Sequence, residues 1–464
     1  MKNDTNYDEF SVQGRDYATI VHYFIPEFVT ALLLYSVPLL IDARFVALIG
    51  STAAYATLGV TNSIVHFIIK IAEGLSVGTV VLTGHYNGKN QRNDISAVFT
   101  QSFWLVFLIG LVVSCGLFYG AVALYSWYHV PEEIVTYGVS FLKIRAISIL
   151  FAFMYFSMTG FLRGIKDTRV IMRIFVLGSV LFVFFDYVLI FGKWGFPALG
   201  LNGSAYASLL QYVCMSGATL FYILRNNDYQ ISLFNFDQQF FYSKKILRLS
   251  WPVMVDKGML AWTYMWLCKC LAPMGSSALA SYSVIKDLER FSILPAIALA
   301  QVVTMFVSND CVSGHWEGLK KTIVKIVILS IILMACNIAI CLLWPEKLIH
   351  FFDMKGEFTT FAVYVFPIIS LLTVFDVVQL VLAGALRGAG NVKTVMWTRV
   401  IVCGGFFLPL AFACSILPVT NQIVKFVLIY GSFYVGNALM SIIYIYKIRG
   451  KHGKQLHHAI IKDA

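Results

Sequence analysis

The residues with the most chemical content in this sequence are acids set in long apolar runs. Asp186 lies inside Leu181-Phe-Val-Phe-Phe-Asp-Tyr-Val-Leu-Ile190, and Asp42 follows Val37-Pro-Leu-Leu-Ile41. A charge near the centre of a bilayer costs at least about 2.5–3.5 kcal/mol on insertion scales, so each such acid needs a reason. On a helix, the neighbours of Asp186 at three and four positions are Phe182, Val183, Leu189 and Ile190, none of which can pair with it. Partners must come from other segments, and Asp42, Asn62, Ser63 and Ser204 are the candidates. Two carboxylates among apolar helices suit a proton or Na⁺. Like charge and lost hydration favour proton uptake, and oxygen-only ligands favour a hard cation. For Asp42, close to the expected outer end of its span and to Arg44, a structural acid near a helix end is the competing reading. Pro38, four residues before it, can bend that helix.

The C-terminal half carries more charge of both signs. Thr373, Asp376 and Gln379 recur every three residues and form a polar stripe of the kind that lines a cavity. Asp256, Asp287, Glu289 and Asp376 are matched by Lys257, Lys269, Lys286 and Arg290, so this half can neutralise itself and its acids can be locked in ion pairs. Lys70 and Glu73, three apart, read as an internal ion pair. Coupling chemistry is therefore expected in the N-terminal half, with Na⁺ at Asp42/Asp186 or, as the other choice, at Asp256/Asp376.

These acids need a membrane scaffold. Of 464 residues, 59% are hydrophobic and only 13% charged, whereas soluble chains carry about 25% charge. Mean hydropathy is +0.77. A bilayer-spanning helix takes about 20 apolar residues. Spans are expected near 19–43, 52–82, 98–128, 135–162, 170–192 and 199–224, then 247–272, 277–307, 322–345, 357–386, 394–416 and 420–446. The net charge of +11 sits in short loops: Lys89 and Arg92; Arg163, Lys166 and Arg169; Arg225, Lys244, Lys245 and Arg248; Lys320 and Lys321; Arg387 and Lys393. Lys447, Arg449, Lys451 and Lys454 add to it near the C-terminus. This is an orienting pattern and not a nucleic-acid surface, and it places the basic loops and both termini in the cytoplasm. The polar start of the chain does not read as a cleaved leader. Nine cysteines, nearly all within apolar runs, predict no disulfides, and Cys268 and Cys270 are poorly spaced for zinc.

The chain also repeats itself. Phe161-Leu-Arg-Gly-Ile-Lys-Asp-Thr168 resembles Ala385-Leu-Arg-Gly-Ala-Gly-Asn391, and Pro26 and Pro252 open corresponding spans, at an offset of about 225 residues. Each unit has an even number of spans, so the two repeats run parallel, about an axis along the membrane normal, with a substrate cavity expected between them. The halves are taken as 1–235 and 236–464.

The paired Leu-Arg-Gly motifs, Phe185-Asp-Tyr-Val-Leu-Ile-Phe-Gly192, Gly200-Leu-Asn-Gly-Ser-Ala-Tyr-Ala207, Ile41-Asp42, Pro252-Val-Met-Val-Asp256 and Phe375-Asp-Val-Val-Gln379 together resemble the multidrug and toxic compound extrusion (MATE) family, of the NorM/DinF-like kind within the MOP flippase superfamily. The resemblance covers nearly the whole chain. It implies an all-α integral membrane protein: twelve transmembrane helices in two six-helix lobes arranged as a V. It implies export of small amphipathic, drug-like compounds in antiport with H⁺ or Na⁺ by alternating access, without a cofactor. Asp42 and Asp186, with Asn62 and Ser204, would form the N-lobe cation site. Asp256 and Asp376, with Thr373, Gln379 and Lys257, would line the C-lobe. Phe182 stands where the family often has Asn, which removes one oxygen ligand. The C-lobe lysines point toward an anionic or zwitterionic substrate. The expected setting is a bacterial inner membrane and the expected state a monomer.

A flippase for lipid-linked precursors is the alternative, and it calls for a cavity rich in uncompensated Arg or Lys. An enzyme calls for a nucleophile–base or His/Asp set. His85 and His315 occupy corresponding loops, but the sequence offers neither a partner, so no enzymatic activity is expected.

Overall fold

The computed structural model describes residues 14–127, 132–226, 229, 231, 233, 241–311, 316–352 and 359–449. The expected boundary at 235/236 lies outside these residues, as do His315, Lys451 and Lys454. So does the side chain of Ser63. Among the described residues the regular structure is helical throughout.

In the first repeat, α1 (Tyr17–Tyr35) and α2 (Val37–Ala47) form one broken span, followed by α3 (Thr52–Gly88), α4 (Arg92–Trp127), α5 (Glu132–Gly164), α6 (Thr168–Phe191) and α7 (Leu201–Arg225). The second has α8 (Phe241–Leu271), α9 (Ser276–Asp310), α10 (Trp316–Leu343), the short α11 (Pro345–Phe352), α12 (Thr359–Gly388), α13 (Val392–Val402), α14 (Leu408–Ile416) and α15 (Gln422–Arg449). A π-helical stretch, Cys403–Phe407, joins α13 to α14, so that Val392–Ile416 makes one span. Eleven described segments are long and apolar enough to cross a membrane. The twelfth position belongs to α8, whose 31 residues reach about 46 Å at 1.5 Å per residue, but whose charges dilute its hydropathy. Side chains such as Val112, Leu177, Leu371 and Ile401 stand exposed, the expected surface of helices solvated by lipid.

The helices group into two compact units, Val29–Met254 and Met1–Phe28 with Val255–Ala464, called here the N-terminal and C-terminal units. The opening helix of each half thus begins in the other half's unit. Arg15, just before α1, donates to Asp310 at 2.7 and 2.8 Å, and its backbone N–H donates to Thr322 Oγ1 at 3.0 Å. At the start of α8, Ser250 donates to the carbonyl of Leu75 at 3.1 Å.

The repeated Leu-Arg-Gly motif has a packing role that its sequence only hinted at. In the N-terminal unit, Gly160 and Gly164 of α5 lie flush on α3. A Cβ on Gly160 would come within 2.8 Å of the Ser76 carbonyl, and one on Gly164 within 2.5 Å of Thr83 Cβ. In the C-terminal unit, Gly384 and Gly388 of α12 lie on α9 in the same way, against the carbonyls of Ala300 and Thr304 at 2.7 and 2.5 Å. Small residues four apart let helix backbones approach where apolar association alone gives no preference within lipid. After each motif the chain turns through a left-handed residue, Lys166 (φ 67°) or Gly390 (φ 76°). Asp167 and Asn391 then donate back to the carbonyls of Leu162 and Leu386 at 2.8 and 2.9 Å, a Schellman-type ending.

The cores follow the same pairing. In the N-terminal unit Val65, Ile68 and Leu75 of α3 interlock with Ile149 and Phe153 of α5. In the C-terminal unit Val302, Val303 and Phe306 of α9 meet Val381, Leu382 and Leu386 of α12.

Candidate functional site

Asp42 reaches its position because the first span breaks. Ser36 leaves the helical region (φ −139°, ψ −77°), and Val37-Pro38 starts α2, where a missing N–H costs nothing. Asp42 is 3% exposed, while Arg44 two residues on is exposed. Ser204 Oγ donates to Asp42 Oδ1 at 2.6 Å. The serine is placed by close packing of α7 on α6: a Cβ at Gly203 would lie 2.7 Å from the Ile190 backbone N.

Asp186 on α6 is fully buried, and among the described residues neither carboxylate oxygen has a hydrogen-bond partner. The charges acting on it are Asp42 and Arg145. The guanidinium of Arg145, from α5, donates to Ser208 and, at 3.4 Å, to Asn62 Oδ1, while its Nε has no partner among the described residues. A buried polar group without a partner costs roughly 1–3 kcal/mol, and more when charged. A fold retains such a group when it has work to do.

Next to these residues, inside the N-terminal unit, is a small cavity of about 70 Å³, lined by Asp42, Arg145, Phe182 and Tyr212 together with Lys70 and Glu73. Lys70 Nζ lies 2.9 Å from Glu73 Oε1 and 3.0 Å from Tyr35 OH, so the expected ion pair is formed and sits in the cavity wall. Phe182 contributes an apolar surface to its lining.

In the C-terminal unit Asp256 is clamped between two arginines. Arg387 Nη2 donates to Oδ2 at 2.5 Å, and Arg399 Nε donates to Oδ1. Thr373, Asp376 and Gln379 run along the seam of α12 with α15. Asn437 Nδ2 donates to Asp376 Oδ1 at 3.2 Å. Glu289 of α9 accepts from Tyr430 OH at 2.5 Å and Tyr434 OH at 2.7 Å, with Thr373 Oγ1 at 3.5 Å. Gln379 is buried beside Tyr444.

The family model described as MatE matches twice, over residues 28–188 and 252–413, which is most of the chain and follows its internal repeat. The chain belongs to the MatE family. It is a multi-pass membrane transporter of the multidrug efflux type, and the family is one of transporters and not of enzymes. It is 26% identical over 366 residues to the probable multidrug resistance protein NorM of Thermotoga maritima, covering 78% of each chain. It is 24% identical to the probable multidrug resistance protein YoeA of Bacillus subtilis, covering 75% of this chain and 76% of that one. Among solved structures it is similar to a MOP superfamily transporter from Pyrococcus furiosus (TM-score 0.84, 18% identity, 97% and 98% coverage). It is equally similar to a MATE transporter in complex with MaL6 (TM-score 0.84, 17% identity, 98% and 99% coverage). The fold is that of MATE transporters.

Within this MatE fold the structure adds partners that the sequence does not name. Asn62 Oδ1 accepts from Arg145 at 3.4 Å. Asp256 is paired by Arg387, read from sequence as a loop base, and by Arg399. Of the bases tallied against the acids of this half, Arg290 pairs with Asp287, at 3.8 Å. Lys269 and Lys286 instead sit over the rings of Trp266 and Tyr264, at 4.8 and 4.2 Å. Arg399, which pairs with Asp256, is also the base acting on Asp376. Arg145 and Arg399 were overlooked although both lie within expected spans, at 135–162 and 394–416, where any charge is a signal.

Proposed function

We propose that this MATE transporter exports small amphipathic compounds in exchange for H⁺ or Na⁺ by alternating access, with Asp42 and Asp186 as the carboxylates that take up and release the cation. The observation that carries this reading is Asp186: a fully buried carboxyl with no hydrogen-bond partner among the described residues, acted on by a second buried acid. Ser204 supplies a neutral oxygen to the pair, and the neighbouring cavity gives a substrate access to the same charge. When the pair is empty it attracts a cation, and when filled it is close to neutral with Arg145. Cation and substrate can therefore use the site in turn. The names of the relatives, multidrug resistance proteins, agree with a broad amphipathic substrate range. The basic loops support a cytoplasmic location for both termini, in a plasma membrane.

The test is transport in proteoliposomes loaded with ethidium as an amphipathic probe. A pH or Na⁺ jump is expected to drive dye movement with wild-type protein and not with Asp186→Asn. Coupled movement at the wild-type rate in that variant refutes the assignment.

A further inference from the structure

Lys286 of α9 is held by aromatic rings. It lies with Ser283, Asp287 and Arg290 on one side of that helix, three and four residues apart. All four are partly or largely exposed. They fall about 10–20 Å into a helix that begins at Ser276. A charged face at that depth of a spanning helix meets water and not lipid.

The ammonium of Lys286 lies 4.2 Å from the ring centroid of Tyr264 and 5.7 Å from that of Tyr282. Both rings are fixed from behind by α15: Tyr264 packs on Phe433 at 5.5 Å and Tyr282 on Tyr430 at 5.3 Å. Tyr282 OH also donates to the Tyr264 carbonyl at 3.5 Å. Among the described residues no carboxylate comes within ion-pair distance of Lys286, and no oxygen accepts from it. The acids nearest in sequence are engaged: Asp287 faces Arg290, and Glu289 accepts from Tyr430 and Tyr434. Both act on Lys286 only from further off. An ammonium has three donors, and an aromatic face returns less than a charge loses on leaving water. A charge left short in this way, above a fixed aromatic floor and on a water-facing side, suits an incoming anion.

We propose that Lys286, seated on Tyr264 and Tyr282, is a substrate subsite of the C-terminal unit that binds the carboxylate of an aromatic, amphipathic acid, with Arg290 as its second donor. Arg290 lies one helical turn on. Its side chain is 52% exposed and its contact with Asp287 is long, 3.8 Å. An exposed pair of that kind holds weakly, so the guanidinium can turn to the same carboxylate. Phe291, exposed beside it, offers apolar surface to the substrate's body. The assignment rests on the export of small amphipathic compounds proposed above and narrows their class.

The experiment is fluorescence anisotropy of two xanthene dyes of opposite charge, carboxyfluorescein and tetramethylrhodamine methyl ester, titrated with the purified full-length protein in detergent. Wild type is expected to bind carboxyfluorescein and to release it to naphthoate. Lys286→Met is expected to weaken that binding at least about tenfold without weakening the cationic ester, and Lys286→Arg to keep most of it. Arg290→Gln is expected to weaken it several-fold, and it decides the matter should Lys286→Met lose its fold. No carboxyfluorescein binding by the wild type, wild-type affinity in both Lys286→Met and Arg290→Gln, or equal loss of the two dyes overturns the subsite. Displacement of the dye by farnesyl diphosphate and not by naphthoate overturns the carboxylate class in favour of a lipid-linked phosphate. Binding is read at equilibrium without a gradient, so its outcome is separate from that of the coupled-transport test above.

Discussion

Arg387 donates to Asp256 at 2.5 Å, so the arginine of the second Leu-Arg-Gly motif, one residue before the glycine that seats α12 on α9, closes off the acid of α8. Arg399 closes the other oxygen. A carboxylate so enclosed is structural: it balances two buried cations and is not available to a passing ion.

Breaking this cluster from one side is expected to be severe. Arg399→Met leaves buried charge uncompensated, at a cost of about 3–5 kcal/mol, while replacing the ion pair by apolar groups of similar volume is often nearly neutral. The double variant Arg399→Met with Asp256→Leu is therefore expected to recover part of the loss. Thermal unfolding in detergent, read as a double-mutant cycle, checks this. Additive losses in the two single variants would contradict it.

The glycine pairs predict a graded response. Gly164→Leu and Gly388→Leu force a side chain against the facing helix and are expected to cost about 1–3 kcal/mol or more. At Gly120, where nothing lies within 4 Å of the position a Cβ would take, a change to Ala is expected to be neutral or to add up to about 1 kcal/mol. Yield and melting temperature of the three proteins make the comparison.

Arg145 is the resident positive charge beside Asp42 and Asp186. Arg145→Met removes it and leaves the two acids without that charge, so they should hold their cation more tightly. The H⁺ or Na⁺ concentration giving half-maximal exchange is expected to fall about tenfold, the factor that roughly 1.4 kcal/mol of interaction supplies. An unchanged concentration dependence would show that Arg145 does not act on the pair.

The extent to which sequence foretold this structure depends on distance along the chain. Helices were legible because span length and hydropathy are local properties, and the repeat was legible because Arg163 and Arg387 carry matching neighbours. Asp186 stood out because its own helix offers nothing to pair with. What lay hidden was partner choice. Asp256 sits beside Lys257 yet pairs with Arg387 and Arg399, more than a hundred residues away, since on a helix adjacent residues point in different directions. Glu289 was counted with four bases, but Tyr430 and Tyr434 reached it first, from a helix whose tyrosines carry no charge to attract notice. The unit boundaries within α1 and α8 were equally out of reach, because the composition of a continuous helix does not show where its packing partner changes.

The central claim is that the Asp42–Asp186 pair exchanges a cation for substrate. Adding a transported amphipathic dye to purified protein in weakly buffered solution, while following pH and free Na⁺, tests it most directly. Wild-type protein is predicted to release H⁺ or Na⁺ as the dye binds, and the double variant Asp42→Asn with Asp186→Asn to release neither. Equal release from the two proteins would contradict the account.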